Sequence, residues 1–222
     1  MYKTWYVFDG DKPIQAVIRN YTKNDFQGLI EGQKESFPPP FPEDLWWNES
    51  QLSEHVERYP QGALCVEIKG EIVGSITGLK IKYDPNEPEH TWSEITDDGY
   101  IRNHDPYGNA LYIVDICVKP DFRNLGLGKW LIQSMYEIVV YERLERLIGG
   151  ARMPRYHLYQ QKMTAQEYVN QVMEGKIKDP VVTFLLHCGR SPVQVLPNYL
   201  EDEESCNCAV LMEWKNPFIR LV

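Results

Sequence analysis

Val118-Lys119-Pro120-Asp121-Phe122-Arg123-Asn124-Leu125-Gly126-Leu127-Gly128-Lys129 joins two segments of opposite character. Before it lies an apolar run, Leu111 to Val118, broken only by Asp115. After it, Leu127 to about Leu144 has helical periodicity: Leu127, Leu131, Met135, Ile138 and Val139 make one apolar stripe. Gly126 and Gly128 let the backbone approach a ligand with no Cβ in the way. The new helix adds unpaired N–H groups and a partial positive charge. Strand, glycine turn and helix together predict a phosphate or pyrophosphate site. A P-loop would need Ser or Thr after Lys129, where Trp130 stands. A dinucleotide fingerprint would need a third glycine at 131, which is Leu131.

Outward from this centre, Leu147 to Ala151 reads as the next strand, so 111–151 forms a parallel strand–helix–strand unit. Upstream, Ala63 to Lys69 and Ile72 to Lys82 are two strands joined by Gly70-Glu71. Ala16 to Arg19 is a short strand. Thr22 caps a helix to about Ser36, with Asp25 at its third position. The prolines of 38–42 end it. A second helix spans about Ser50 to Arg58. The polar segment Tyr83 to Asn109 is a long insert of the functional or mobile kind. Downstream, Thr164 with Glu167 opens a helix that Gly175 ends, and Asp179-Pro180 opens another that Gly189 ends. Val193 to Tyr199 and Cys208 to Trp214 are the last strands, with an acidic turn, 201–204, between them. The expected class is α/β (α+β), a mixed central sheet with helices.

Composition removes several function classes. The formal net charge of −9 disfavours a phosphate-backbone partner, so no nucleic acid is expected. No apolar run approaches ~18 residues, so no membrane span is expected. Residues 1–10 lack a signal-peptide pattern, which points to the cytoplasm. Five scattered cysteines read as reduced thiols, and five dispersed histidines make no metal site. Cys206 and Cys208 would share a face if both lay on a strand.

Arg123, Gly126 and Gly128 match the Arg/Gln-x-x-Gly-x-Gly/Ala loop, and 111–131 resembles the signature motif, of GNAT N-acetyltransferases. The wider chain is similar to a narrower group, acetyltransferase-like domains found alone or fused to a carbon–nitrogen hydrolase (nitrilase) domain. The supporting stretches are 35–42, 94–101, 179–184 and 196–200. The resemblance implies a single GNAT acyltransferase domain over 1–222, with the insert at about 83–110. It implies acetyl-CoA or CoA as acyl-donor substrate, without metal. It implies a small-molecule or peptide amine acceptor and a functional link to a nitrilase-type hydrolase; a homo-oligomer is compatible with it.

Residue by residue, the resemblance assigns the CoA pyrophosphate to Arg123, Asn124, Gly126 and Gly128, largely through backbone N–H groups. Leu125, Leu127 and Lys129 adjoin them. Ile116 and Val118 lie on the strand that pairs with the pantetheine arm, and the Val118 N–H meets the thioester oxygen. Strands 111–118 and 147–151 splay apart at their ends to admit the cofactor.

The implied reaction is direct attack of a neutral amine on the thioester. Asp115, the only charge in its strand, is the candidate base; its alternative is a structural carboxylate bonded to loop backbone. The tyrosine that supplies the leaving-group proton in this family falls at Leu185. Tyr156, Tyr159 and Tyr168 are substitutes or packing aromatics. Phe37, Trp46, Trp47, Trp92 and Tyr100 line an acceptor pocket or pin loops to the core. The leading expectation is an N-acetyltransferase. The alternatives are a CoA- or acyl-CoA-sensing module without transfer, and a transferase for a longer acyl group or a non-amine acceptor.

Overall fold

The computed structural model describes residues 1–86 and 89–219. The chain opens with a hairpin of β1 (Tyr2–Asp9) and β2 (Lys12–Asn20), paired antiparallel from Tyr2↔Arg19 to Asp9↔Lys12; the short strand expected at Ala16–Arg19 lies within β2, while β1 was not foreseen. Its signal was Gly10-Asp11 after the apolar run Trp5 to Phe8; Gly10 takes the φ of 62° that the first position of the two-residue turn requires. The Thr22 capping box holds as expected, but its first turn, 23–25, is 3-10 before α1 (Phe26–Ser36) begins. Asn48 caps α2 (Glu49–Arg58) by accepting from the Gln51 N–H.

β3 (Ala63–Ile68) and β4 (Glu71–Ile81) form the predicted hairpin. The insert that follows is not structureless. It contains α3 (Trp92–Thr96), capped by Thr91, and Trp92 Nε1 donates to the Val114 carbonyl at 3.0 Å. β5 (Ala110–Val118) leads through a 3-10 turn, Pro120–Leu125, into α4 (Leu127–Tyr141). β6 (Arg146–Arg152), α5 (Ala165–Met173), α6 (Val182–His187), β7 (Ser191–Leu196) and β8 (Ala209–Lys215) complete the order. Asp179 starts α6 by accepting from the Val181 and Val182 N–H groups. Cys206 and Cys208 do not share a strand: both precede β8, and Cys206 sits at φ 51°.

The eight strands form one sheet in the order β1-β2-β3-β4-β5-β6-β8-β7. Only β5 and β6 are parallel, as α4 between them requires. Helices cover both faces of this mixed sheet, the α/β arrangement expected. The apolar stripe of α4 is fully buried, Leu127, Leu131, Met135 and Val139 each at 0% exposure, against strands rich in Val, Ile and Leu. None of the described helices is long and apolar enough to cross a membrane.

Candidate active site

The central feature is a ladder that stops early. β5 and β6 pair only at Ala110↔Arg146, Leu111↔Leu147 and Tyr112↔Ile148. Yet β5 continues to Val118 and β6 to Arg152. The splay expected of these strands is therefore present, with its apex at Tyr112. Tyr199 occupies that apex. A Cβ on Gly150 would lie 2.3 Å from its ring, so only glycine lets the phenol sit there. Tyr199 Oη lies 2.8 Å from Tyr112 Oη, which accepts from the Gly150 N–H at 3.3 Å. A hydroxyl thus serves a backbone group that the parallel ladder leaves behind. His90 Nε2 lies 3.0 Å from Tyr112 Oη, so the chain of polar groups ends on the insert.

Below the apex lies a cleft of about 130 Å³. Ile113, Val114, Asp115 and Ile116 form its β5 wall. Phe37, Phe41 and Trp47 enter from the segments after α1, and Trp92 from the insert. Phe184 and Leu185 of α6, with Arg152, Arg190 and Tyr199, complete it. The lining is apolar except where Asp115, Arg152, Arg190, Gln33 and Tyr199 reach it.

A β-bulge aims Asp115. Thr77 pairs with Asp115 and Gly78 with Ile113, so Val114 is an extra residue on β5. The Asp115 side chain is placed beside Gln33 of α1, whose own Oε1 accepts from the Trp47 N–H. Asp115 Oδ2 is out of solvent and has no hydrogen-bond partner. Burial pushes the carboxyl up to about 7; the Gln33 side chain, the Ile116 N–H and the Arg152 charge offset part of the rise. A carboxyl that titrates near neutrality inside a cleft is suited to take a proton.

Arg152 differs from Asp115 in being fully engaged. It makes a two-point pair with Asp202 at 2.7 Å on both arms and reaches Glu204 at 3.1 Å. Its guanidinium also lies over the Phe41 ring at 4.8 Å. It therefore braces the aromatic wall to the acidic turn.

The glycine loop lies beside the cleft. Gly126, at φ 75°, is the residue before α4, and no side chain caps that helix. The first-turn N–H groups of Leu127, Gly128 and Lys129 are thus left for a ligand. The Arg123 side chain turns back into the protein: Nε donates to the Val118 carbonyl at 3.1 Å and a terminal nitrogen to Ser36 at 2.9 Å. It ties the loop to the end of β5 and to α1. Asn124 and Lys129 stay exposed, while Leu127 is buried in the core. A Cβ on Gly128 would meet Phe184 at 3.1 Å, and Phe184 lines the cleft, so loop and cleft share a wall.

Other expected residues fall elsewhere. Trp46 and Tyr100 do not line the cleft: Trp46 donates to the Phe37 carbonyl, and Tyr100 stacks with Arg102. Tyr156, Tyr159 and Tyr168 pack on one another, with Tyr168 Oη donating to Asp179. None reaches the cleft, where Leu185 stands instead. His104 accepts from the Lys80 N–H and His157 bonds the Glu204 carbonyl, each alone. Sequence reasoning missed Gln33, Arg152 and Arg190 as cleft residues. Arg190 carried one local signal, its place directly after the helix-ending Gly189.

A splayed parallel pair, with a glycine loop at the head of the helix between, defines an acyl-CoA-binding class of protein. The chain belongs to the Acetyltransferase (GNAT) family, whose model matches residues 26–163. It is 54% identical over 218 residues to the uncharacterized N-acetyltransferase YkwB of Bacillus subtilis (strain 168), covering 98% of this chain and 96% of that protein. A second Bacillus subtilis protein, named probable hydrolase YhcX, is 41% identical over 203 residues; the match covers 91% of this chain and 39% of YhcX. In fold, the loading GNATL domain of CurA from Lyngbya majuscula superposes with a TM-score of 0.77 at 21% identity, over 90% of this chain and 98% of that one. A GphF GNAT-like decarboxylase in complex with isobutyryl-CoA gives 0.74 at 23% identity, with the same coverage.

Proposed function

We propose that this GNAT acyltransferase is a single-domain N-acetyltransferase that moves acetyl from acetyl-CoA to an amine by direct attack. The observation that carries the reading is the splay at Tyr112, which opens a cleft beside an uncapped helix start and a carboxyl with one unpartnered oxygen. The CoA pyrophosphate binds the N–H groups around Gly126 to Lys129, with Arg123 bracing the loop from behind. The pantetheine arm runs along β5 past Val118 and Ile116. The acetyl thioester reaches the cleft, and Asp115 takes the proton released by the attacking amine. The match to YkwB supports the transferase reading, and the partial match to YhcX supports a functional link to a hydrolase. The acyl-donor reading is supported by the isobutyryl-CoA and bisubstrate complexes of structural neighbours.

Leu185 favours a second reading, a CoA- or acyl-CoA-sensing module, because no tyrosine of α6 is present to protonate the leaving thiolate. Thermal unfolding with saturating acetyl-CoA or CoA tests the shared part. At about 100 times Kd, stabilisation near ~2.7 kcal/mol should raise the melting temperature by roughly 5–10 °C. Acetyl-CoA with a panel of amines then separates the readings: amine-dependent CoA release identifies the transferase, and binding without release identifies the module. No shift with either ligand would remove both.

A further inference from the structure

Four buried side-chain polar atoms lack a hydrogen-bond partner among the described residues: Trp5 Nε1, Asp115 Oδ2, Arg146 Nε and Arg190 Nε. Two of the four, Asp115 and Arg190, belong to the cleft wall, and they carry opposite charges. The other two lie elsewhere, and Arg146 is paired through its terminal nitrogens with Glu213 and Glu145.

Arg190 is the unusual member. Gly189, at φ 84°, turns the chain from α6 toward β7 and sends the following side chain inward, where it is 3% exposed. One terminal nitrogen donates to the Met212 carbonyl of β8. The other sheltered arginines all have acids: Arg19 has Asp25 and Glu67, Arg146 has Glu213, and Arg152 has Asp202. Arg190 makes no ion pair among the described residues. The groups that face it are Tyr136, Tyr112 and Tyr199, with the Cys188 thiol. Burial lowers its pKa to about 10, which still leaves a cation at neutral pH. A buried guanidinium with no counter-charge is strongly disfavoured unless an anion arrives from outside.

The cleft selects the anion. It is small and its walls are mostly apolar, so the ligand that enters is small. Arg190 keeps donors for a planar carboxylate, the geometry a guanidinium fits best. Asp115 lines the same cleft, and its Oδ2 has no hydrogen-bond partner among the described residues. An amine that also bears a carboxylate is the smallest ligand that answers both.

We propose that the acceptor amine is an amino acid, with its carboxylate held by Arg190 and its amino group facing Asp115. This rests on the reading of the cleft as the transfer site. In the step itself, Asp115 takes one proton from the ammonium group and the neutral nitrogen attacks the acetyl carbonyl. The new C–N bond forms as the C–S bond breaks, CoA leaves as thiolate, and the second proton, shed by the acylated nitrogen, passes through solvent to that thiolate.

The test uses the full chain, acetyl-CoA, the twenty amino acids, and for each active one its carboxamide and its decarboxylated amine. At least one amino acid should support CoA release, with kcat/KM at least ~30-fold above its two carboxylate-free analogues. Arg190→Met should raise the amino-acid KM ~30-fold or more, change the acetyl-CoA Kd by less than twofold, and leave the decarboxylated amine as it was. Arg190→Lys should recover part of the loss. Because the free cleft holds an unpaired cation, Arg190→Met should melt no lower than the parent, which excludes misfolding as the cause. Equal use of amino acids and their carboxylate-free analogues would overturn the proposal while leaving amine transfer intact. So would an Arg190→Met effect on acetyl-CoA itself, which would make Arg190 a CoA phosphate ligand. An Arg190-dependent preference for malonyl- or succinyl-CoA over acetyl-CoA would also overturn it, by placing the carboxylate on the acyl chain. Failure of acetyl-CoA to bind at all would instead strike the reading beneath it.

Discussion

The glycine loop and the cleft are neighbours across Phe184, yet they are built on opposite plans. The loop is one continuous stretch, and its donors are backbone N–H groups placed by a strand, a turn and a helix. Its one strong side chain, Arg123, contributes by holding the Val118 and Ser36 carbonyls. The cleft gathers side chains from α1 and the segment after it, the insert, β5, β6, α6 and the segments on either side of β7. Its polar atoms are expensive to bury, and two have no partner. A site made of backbone tolerates exchange of side chains and fails when its path is bent. A site made of scattered side chains fails one group at a time.

The largest expected effect tests the cleft. Asp115→Asn should lower kcat by ~10³-fold at neutral pH, in the range of a lost general base, with the CoA Kd unchanged. Stopped-flow release of CoA against a binding titration separates the two numbers, and an equal loss in both would erase the contrast. Next comes Gly150→Ala. A methyl placed 2.3 Å from the Tyr199 ring must push the phenol off the apex. Chemical denaturation should show a loss of about 2–3 kcal/mol, as for overpacking. The loop should answer differently: Arg123→Ala should weaken CoA ~10-fold in calorimetry and leave the rate at saturation within twofold.

The smallest effect is a pH dependence. The Asp115 pKa is raised by burial to about 7 from an ordinary carboxylate value. Its protonated form is therefore favoured by folding, and that contribution is complete below about pH 4 and lost as pH rises through 7. Asp115→Asn has no such loss. Its melting temperature should gain on the parent's between pH 4 and 8, by ~1 kcal/mol or more in stability. A constant difference across that range would mean the carboxyl is ionised throughout.

The two plans also explain what could be foreseen. The loop, α4 and the strands beside it were legible because period, glycine spacing and caps all act within about ten residues. Asp115 stood out as a lone charge in an apolar run. Its partner groups did not, because the Gln33–Asp115 and Arg190–Met212 proximities arise only when distant segments meet in the sheet. The bulge at Val114 left no mark in the sequence, since Val-Asp-Ile-Cys reads equally well without it. β1 was missed for another reason: Tyr2, Tyr6 and Phe8 are exposed on one face of an edge strand and Trp5 lies on the other, so the pattern is aromatic on both faces.

The early end of the β5–β6 ladder has a mechanical side. β1 to β5 form one antiparallel plate, and β6, β8 and β7 another. Three rungs rivet the plates along the parallel seam, from Ala110↔Arg146 to Tyr112↔Ile148. Past the last rivet, a seam of this kind concentrates load at its tip, and the tip here is the Tyr112–Tyr199–Gly150 contact. A force that pulled the two plates apart would be felt first at those hydroxyls, at the closed end of the cleft, and last in the hairpins at the rims.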